Sequence, residues 1–271
     1  MTYEKPQKRN PHQLTVKQHI FPNFCVKQFY NSNNRVELFD KNTNKVSYVT
    51  GSDSLFCAKR VWDQSSESGY MKSIEDKYED MLKRTYHKVT YQISEQDQIT
   101  VGEMFFLWMC RYQRANAPIP DQVLKNILPP KPEDSFGKDQ LEQLEKIGVI
   151  SMRSDGYISG RFFNGTNIQQ KIMEYKLLHK HLKWGVLHSS NAEFIVPDTY
   201  EDIAVLPISP KICFALHVAS GHISDDQVFQ INNIARSKSK KFYFARDMSY
   251  CFADTSYKIK TIAAFQKKVV E

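Results

Sequence analysis

The chain has 271 residues, of which 41% are hydrophobic and 13% aromatic, and its formal net charge is +7. These values provide for one large domain or two modest ones with a real core. The longest apolar run, residues 104–110, is far shorter than the roughly 20 residues of a membrane-spanning helix, and the polar start lacks the apolar stretch of a secretory signal. Five cysteines without a CxxC pair exclude a disulfide framework, so we expect a cytoplasmic protein with no membrane partner.

The first half of the chain predicts a hairpin followed by two helices. Residues 1–17 are expected to form a mobile tail ahead of one domain over 18–250. Alternating runs at 35–39 and 45–49, joined by an Asn- and Asp-containing turn, predict a β-hairpin. Helical spacing of apolar residues over 69–89 predicts a long helix. Thr100 and Glu103 match a capping box that opens a second helix through residue 114. That helix is apolar nearly all round, which places it in the centre of the domain.

The second half predicts most of the sheet. The proline-rich stretch 128–137 is the best candidate for a sub-domain break. A helix closed by Gly148 follows, and runs at 149–152 and 157–163 predict a two-stranded ribbon, either the wing of a winged helix or an ordinary hairpin. Capping boxes predict helices after Thr166 and after Ser224, with strand-like runs around them. We therefore predict an α+β fold with a mixed or antiparallel sheet mainly from the C-terminal half, a central buried helix, several packed helices and a basic segment over 251–271.

Several motifs in this order resemble one bacterial family. Residues 18–29, "QHIFPNFCVKQF", resemble a family motif of the form Gln-His-Tyr-Val-Pro-x-Phe-Tyr-Leu-Arg-Asn-Phe. Residues 194–198, "FIVPD", and 206–211, "LPISPK", resemble the family's Phe-Ile-Thr-Ser-Asp-Asn-Pro and Pro-Leu-Ser-Pro. The chain thus resembles the bacterial domain-of-unknown-function family number 4238 from residue 18 to about residue 246. The resemblance implies a bacterial protein of mobile or defence-type gene neighbourhoods and carries no activity with it.

Four residues are candidates for catalysis. His19 suits proton transfer because imidazole titrates near neutral pH, although a histidine that holds the N-terminal segment against the core is the alternative. Arg111 and Arg114, on one helical face, suit a phosphate or the carboxylate of Asp198 or Glu75, or they complement the helix C-terminus. Asp198 ends an apolar strand, so it is either an orienting or metal-binding carboxylate or a turn former.

Charged residues elsewhere suggest metal and nucleic-acid contacts. Glu75 and Glu79 share a helical face and suit Mg²⁺ or Mn²⁺, with a salt-bridged solvent face as the alternative. From residue 236 onward, nine Lys/Arg stand against three acids, which suits a phosphate backbone or simply a solvated end. The predicted nucleic-acid contacts are Lys27, Arg236, Lys238, Lys240 and Lys241.

These features favour an intracellular bacterial nuclease-type effector, a toxin or an anti-phage defence protein, that acts on RNA or DNA. A non-catalytic module that binds nucleic acid or a partner protein, such as an antitoxin, is the alternative. An enzyme on a small nucleotide is a third interpretation, which the absence of a Gly-rich phosphate loop from the sequence disfavours.

Overall fold

The fold is α+β, as the sequence predicts. The computed structural model describes residues 4–85, 93–124, 126–178, 182–200 and 204–253. Its α-helices are α1 (Asn23–Lys27), α2 (Lys72–Thr85), α3 (Glu95–Asn116), α4 (Lys138–Lys146), α5 (Gly160–Leu178) and α6 (Asp225–Lys238). Its strands are β1 (Lys17–His19), β2 (Val36–Asp40), β3 (Lys45–Val49), β4 (Cys57–Lys59), β5 (Gln122–Val123), β6 (Tyr157–Ile158), β7 (Trp184–Ser189), β8 (Val196–Pro197), β9 (Val205–Ser209), β10 (Ile212–Leu216), β11 (Gly221–Ile223) and β12 (Phe242–Ala245).

The first of two compact units, here called the helical unit, is made of Met1–Ile20, Ser54–Arg84 and Gly102–Lys180. It contains α2, most of α3, α4, α5 and the ribbons β1–β4 and β5–β6. Met104, Leu107 and Trp108 of α3 are at most 2% exposed, which confirms the buried helix. Among the described helices, none has the length and apolar composition needed to cross a bilayer.

The N-terminal segment makes specific contacts with the rest of the helical unit, so it is not the mobile tail that the sequence predicts. The backbone N–H of Gln7 donates to Glu142 Oε1 at 2.8 Å. Glu4 pairs with Arg161, and the side chain of Leu14 is buried. Composition alone does not show these contacts, because each partner lies more than a hundred residues further along the chain.

The second unit, here called the sheet unit, is made of Phe21–Asp53, Thr85–Val101 and His181–Glu271. One of its sheets has the strand order β3-β2-β12-β8 and the other β11-β7-β10-β9. The β2–β3 pairing confirms the predicted hairpin, and β11 runs parallel to β7 while the other pairings in these sheets are antiparallel. The chain passes between the units several times, and the predicted break at 128–137 lies inside the helical unit.

The predicted start of α3 is wrong. The helix begins at Glu95, where Ser94 Oγ accepts the backbone N–H of Asp97 at 3.1 Å. Thr100 lies inside the helix and its hydroxyl donates to the carbonyl of Gln96 at 3.1 Å. A threonine can satisfy its hydroxyl in this way within a helix, so the capping pattern alone does not require a helix start.

The predicted ribbon over 149–163 is present only in part. An antiparallel bridge joins Met152 to Ile158 across the turn, where the N–H of Arg153 donates to the carbonyl of Tyr157 at 2.9 Å. The regular strand is limited to Tyr157–Ile158, which also pairs with Gln122–Val123. Helix α5 begins at Gly160 rather than after Thr166. A wing needs two strands of several residues each, and the segment 149–163 forms only the two-residue strand β6 and one isolated bridge. The winged-helix alternative is therefore not supported. By contrast, the predicted cap of α6 is confirmed, because Ser224 Oγ accepts the N–H of Gln227.

Candidate functional site

The opening Gln-His motif anchors the backbone of a buried tryptophan in the helical unit. Gln18 is 1% exposed; its Oε1 accepts the N–H groups of Val61 and Trp62 at 2.7 and 3.2 Å, and its Nε2 donates to the carbonyl of Trp62 at 2.7 Å. His19 ends β1 opposite Cys57 of β4 and is half-buried. The motif thus has a clear structural task, and an acid–base role for His19 stays a prediction.

Arg111 neutralises two carboxylates beside that tryptophan. It is 1% exposed, pairs with Glu75, lies 3.5 Å from Glu67 Oε2 and places its guanidinium 5.5 Å from the Trp62 ring centre. Trp62 Nε1 also donates to Glu67. Burial raises the pKa of Glu67, while Arg111, the Trp62 hydrogen bond and His19 favour its charged form. The structure therefore brings His19, Glu75 and Arg111 into one unit, and it adds Glu67, which lies outside the sequence motifs.

Each carboxylate of the predicted metal pair forms a salt bridge with a cationic side chain. Glu75 is bound to Arg111, and Glu79 lies 3.1 Å from Lys83 on the surface of α2. This arrangement favours the salt-bridged alternative for Glu75 and Glu79. Arg114 is half-buried, and its Nε has no hydrogen-bond partner among the described residues. Within the same residues, no group of three or more His, Cys, Asp or Glu side chains is arranged to hold a metal ion.

Asp198 has a structural role in the sheet unit. Its Oδ1 and Oδ2 accept the backbone N–H groups of Lys240 and Lys241, each at 2.8 Å, and the residue is 4% exposed. Burial raises the pKa of Asp198, and these two donors oppose the rise. Because β8 pairs with β12, Asp198 lies beside the turn that leads into β12. Both oxygens hold that turn, which favours the turn-forming alternative, and His19 belongs to the other unit. A catalytic role for Asp198 stays a prediction.

Exposed cations surround the turn that Asp198 holds. This basic patch consists of Arg236, Lys238, Lys240 and Lys241, all exposed. Arg236 lies 4.6 Å from the ring centre of Phe252, and Lys41 Nζ donates to the Arg236 carbonyl at 3.0 Å. Lys27 is exposed at the end of α1. Nucleic-acid contacts of these residues stay predictions, and the basic block beyond residue 253 lies outside the described residues.

A cleft of about 730 Å³ opens in the sheet unit beyond the end of β12. None of the residues that line it is among the site residues predicted from the sequence. Its charged and aromatic lining consists of Glu37, Tyr48, Glu193, Lys211, Arg246 and Asp247, with Tyr250 at its edge. Lys211 lies between β9 and β10, and Arg246 and Asp247 directly follow β12. Charged residues next to strand ends are the sequence signal that would have found these three.

Glu37 is a buried carboxylate that interacts with a second carboxylate, Asp247, in this cleft. It is 3% exposed on β2, and its Oε2 accepts the N–H of Met248 at 2.7 Å. Burial raises the pKa of Glu37, and the charge of Asp247 raises it further against the Met248 hydrogen bond. Burial, Glu37 and Asp247 also raise the pKa of Tyr48. A phenol and two carboxylates that line the cleft therefore interact electrostatically.

Arg246, Glu193 and a buried asparagine form a second group of contacts at the cleft. Glu193 is 2% exposed and pairs with Arg246, which retains further N–H donors. Asn232 is fully buried; it donates to the carbonyls of Glu193 and Cys251 at 2.7 and 2.8 Å and accepts the N–H of Ile195 at 3.0 Å. This one amide holds two loop segments that line or adjoin the cleft.

Lys211 supplies a second cation. Its Nζ donates to the carbonyls of Asn191 and Ala192, and a third ammonium donor remains. Asp247 Oδ1 accepts the N–H of Ser249 at 2.9 Å, which leaves Oδ2 as a further acceptor. The cleft thus combines hard carboxylate oxygens with cationic donors, the chemistry that binds a divalent cation together with a phosphate.

Comparison with known proteins adds no assignment. No family model, curated protein or solved structure matches the chain. The resemblance to family number 4238 therefore stays a prediction, and the cleft has to be interpreted from its own chemistry.

Proposed function

We propose that this protein is a metal-dependent nuclease that hydrolyses phosphodiester bonds in the cleft of the sheet unit. The observation that supports the proposal is the convergence of Glu37 and Asp247 with Lys211 and Arg246 on one cleft. The charge of Asp247 raises the pKa of Glu37, and a cation bound between the two carboxylates would offset that repulsion. Two cationic side chains suit the phosphate that the metal ion also binds.

The carboxylates fit Mg²⁺ or Mn²⁺. These ions prefer oxygen ligands, and Mg²⁺ is commonly held by one or two carboxylates plus substrate phosphate and water. Glu37 and Asp247 would hold the ion, which when bound supplies a Lewis acid and a water of lowered pKa. Lys211 and Arg246 would bind and orient the phosphate and stabilise the charge that develops on it. Tyr48 would donate a hydrogen bond to the same group.

The basic patch would extend this interface. Lys240 and Lys241 directly precede β12, whereas Arg246 and Asp247 directly follow it. A strand of four residues spans about 13 Å. β12 itself is buried between β2 and β8, so only a ligand longer than this distance would contact both the patch and the cleft, which supports a polymer rather than a small nucleotide as the substrate.

The cellular setting belongs to the same proposal. All five cysteines are free thiols, as expected in a reducing compartment, which supports a cytoplasmic enzyme. The role of a bacterial toxin or anti-phage effector, with a partner such as an antitoxin, is supported by the family resemblance alone.

Incubation of the purified protein with labelled RNA and DNA tests the activity. We expect cleavage with Mg²⁺ or Mn²⁺ and none with excess EDTA, with activity restored when the metal is added back. Binding without cleavage under every metal condition would instead support the non-catalytic module. Cleavage that is unaffected by EDTA would contradict the metal-dependent mechanism.

The salt dependence of binding tests the basic patch. Replacement of Lys238, Lys240 and Lys241 by Gln should flatten the slope of log K against log salt by roughly one unit for each phosphate that the variant no longer neutralises. A matched control, Lys8→Gln/Lys77→Gln/Lys131→Gln, removes the same charge from exposed positions of the helical unit and should leave the slope near that of the wild type. Equal slopes for the wild type and the patch variant would show that these lysines do not contact phosphates.

A further inference from the structure

Two histidines lie side by side on neighbouring parallel strands of the sheet unit. In the register of β7 and β11, His188 is opposite His222. Their ring centroids are 5.6 Å apart and their planes are inclined by 42°. Neither histidine lines the cleft of the sheet unit.

The spacing suits two imidazoles on one ion. A metal–nitrogen distance of about 2.0–2.1 Å, with the two nitrogens at an angle between tetrahedral and linear, places the ring centroids roughly 5–6 Å apart. The observed separation of 5.6 Å falls within that interval. Larger separations would require the strands to move before both rings could bind.

His188 carries a second, independent indication of a ligand. Its Nε2 is buried and has no hydrogen-bond partner within the part of the chain that the structure describes, although buried polar atoms are nearly always paired. Neutral imidazole is the form that coordinates a metal. His222 is exposed, so an ion from solvent reaches this ring of the pair first.

We infer that His188 and His222 form a two-histidine site for a borderline transition-metal ion such as Zn²⁺, Ni²⁺ or Cu²⁺. Imidazole nitrogen favours these ions, whereas Mg²⁺ favours oxygen. Water or an external ligand completes the coordination, because the described residues offer no third ligand of the usual kinds next to the pair. The site is therefore open, and it binds more weakly than a closed four-ligand zinc site.

Titration calorimetry of the full chain with Zn²⁺ or Ni²⁺ in excess Mg²⁺ and without nucleic acid tests the inference. Wild-type protein should bind one ion, and both His222→Gln and His188→Gln should weaken binding about tenfold or more, a loss of about 1.4 kcal/mol. His222→Gln alters an exposed residue, so its fold is expected to be retained, which melting temperature can check.

His217→Asn is the matched control. His217 is exposed, and its φ of 57° is a conformation that Asn tolerates. The control should bind like the wild type, and Cu²⁺ should selectively broaden the NMR signals of β7 and β11. Wild-type affinity in folded His222→Gln, or broadening elsewhere, would overturn the inference. Because no nucleic acid is present, this result is independent of whether the nuclease proposal holds.

Discussion

Replacement of Glu37 by Gln or of Asp247 by Asn is expected to reduce nucleic-acid cleavage about 10²–10³-fold. Each change removes one of the charged oxygens that would hold the metal ion against the phosphate. Gln at position 37 retains an oxygen that can accept the N–H of Met248, so the local backbone geometry should persist. Rates measured at saturating Mg²⁺ check the prediction.

The same Glu37→Gln variant should melt at the wild-type temperature or above it. The pKa of Glu37 is raised in the folded protein, so at neutral pH its charged form costs folding free energy. A neutral amide removes that cost. Loss of activity together with unchanged or higher stability would therefore identify Glu37 as a residue kept for function rather than for the fold.

Asp226→Asn is the control for both variants. Asp226 lies in the first turn of α6 and is exposed, so cleavage should stay within a small factor of the wild type. Full activity of Glu37→Gln and Asp247→Asn would contradict a catalytic cleft. In that case the His19 and Arg111 cluster of the helical unit becomes the next candidate to test.

Replacement of Arg111 by Met is expected to destabilise the protein by about 3–5 kcal/mol. The guanidinium is 1% exposed and neutralises Glu75 while lying close to Glu67. Without it, two carboxylates remain near each other with no cation between them, and the cost is that of uncompensated charge rather than of poorer packing. Urea unfolding, compared through the midpoint and the slope, measures the change.

A second variant separates charge from shape. Arg111→Met/Glu75→Gln removes one of the stranded carboxylates and should recover part of the stability, because replacing both members of a buried pair is much cheaper than removing one. Lys77→Met, at an exposed position of α2, should change the free energy of unfolding by no more than about 0.5 kcal/mol. Retained stability with abolished cleavage in Arg111→Met would instead support the predicted phosphate clamp.

Local sequence patterns determined the fold class, the hairpin, the buried α3 and the strand β12. The hairpin follows from period-two alternation on both sides of an Asn- and Asp-rich turn. Helix α3 follows from apolar residues spaced around its whole circumference. These signals depend only on neighbours within one element, so they are visible in the sequence itself. The two incorrect helix starts arose where a threonine capping pattern occurs inside a helix and bonds back to the preceding turn.

The site was decided by contacts between distant parts of the chain. Glu37 accepts a hydrogen bond from the N–H of Met248, 211 residues further along the chain. No periodicity or motif in the sequence predicts that contact. Asp198 looked catalytic because it ends a strand, but the turn before β12 uses both of its oxygens. The sequence by itself determined which residues are apolar, charged and able to form each element. Only the tertiary structure decided which charges neutralise one another and which remain available in a cleft, because burial and electrostatic partners depend on strand order rather than on neighbours in the chain.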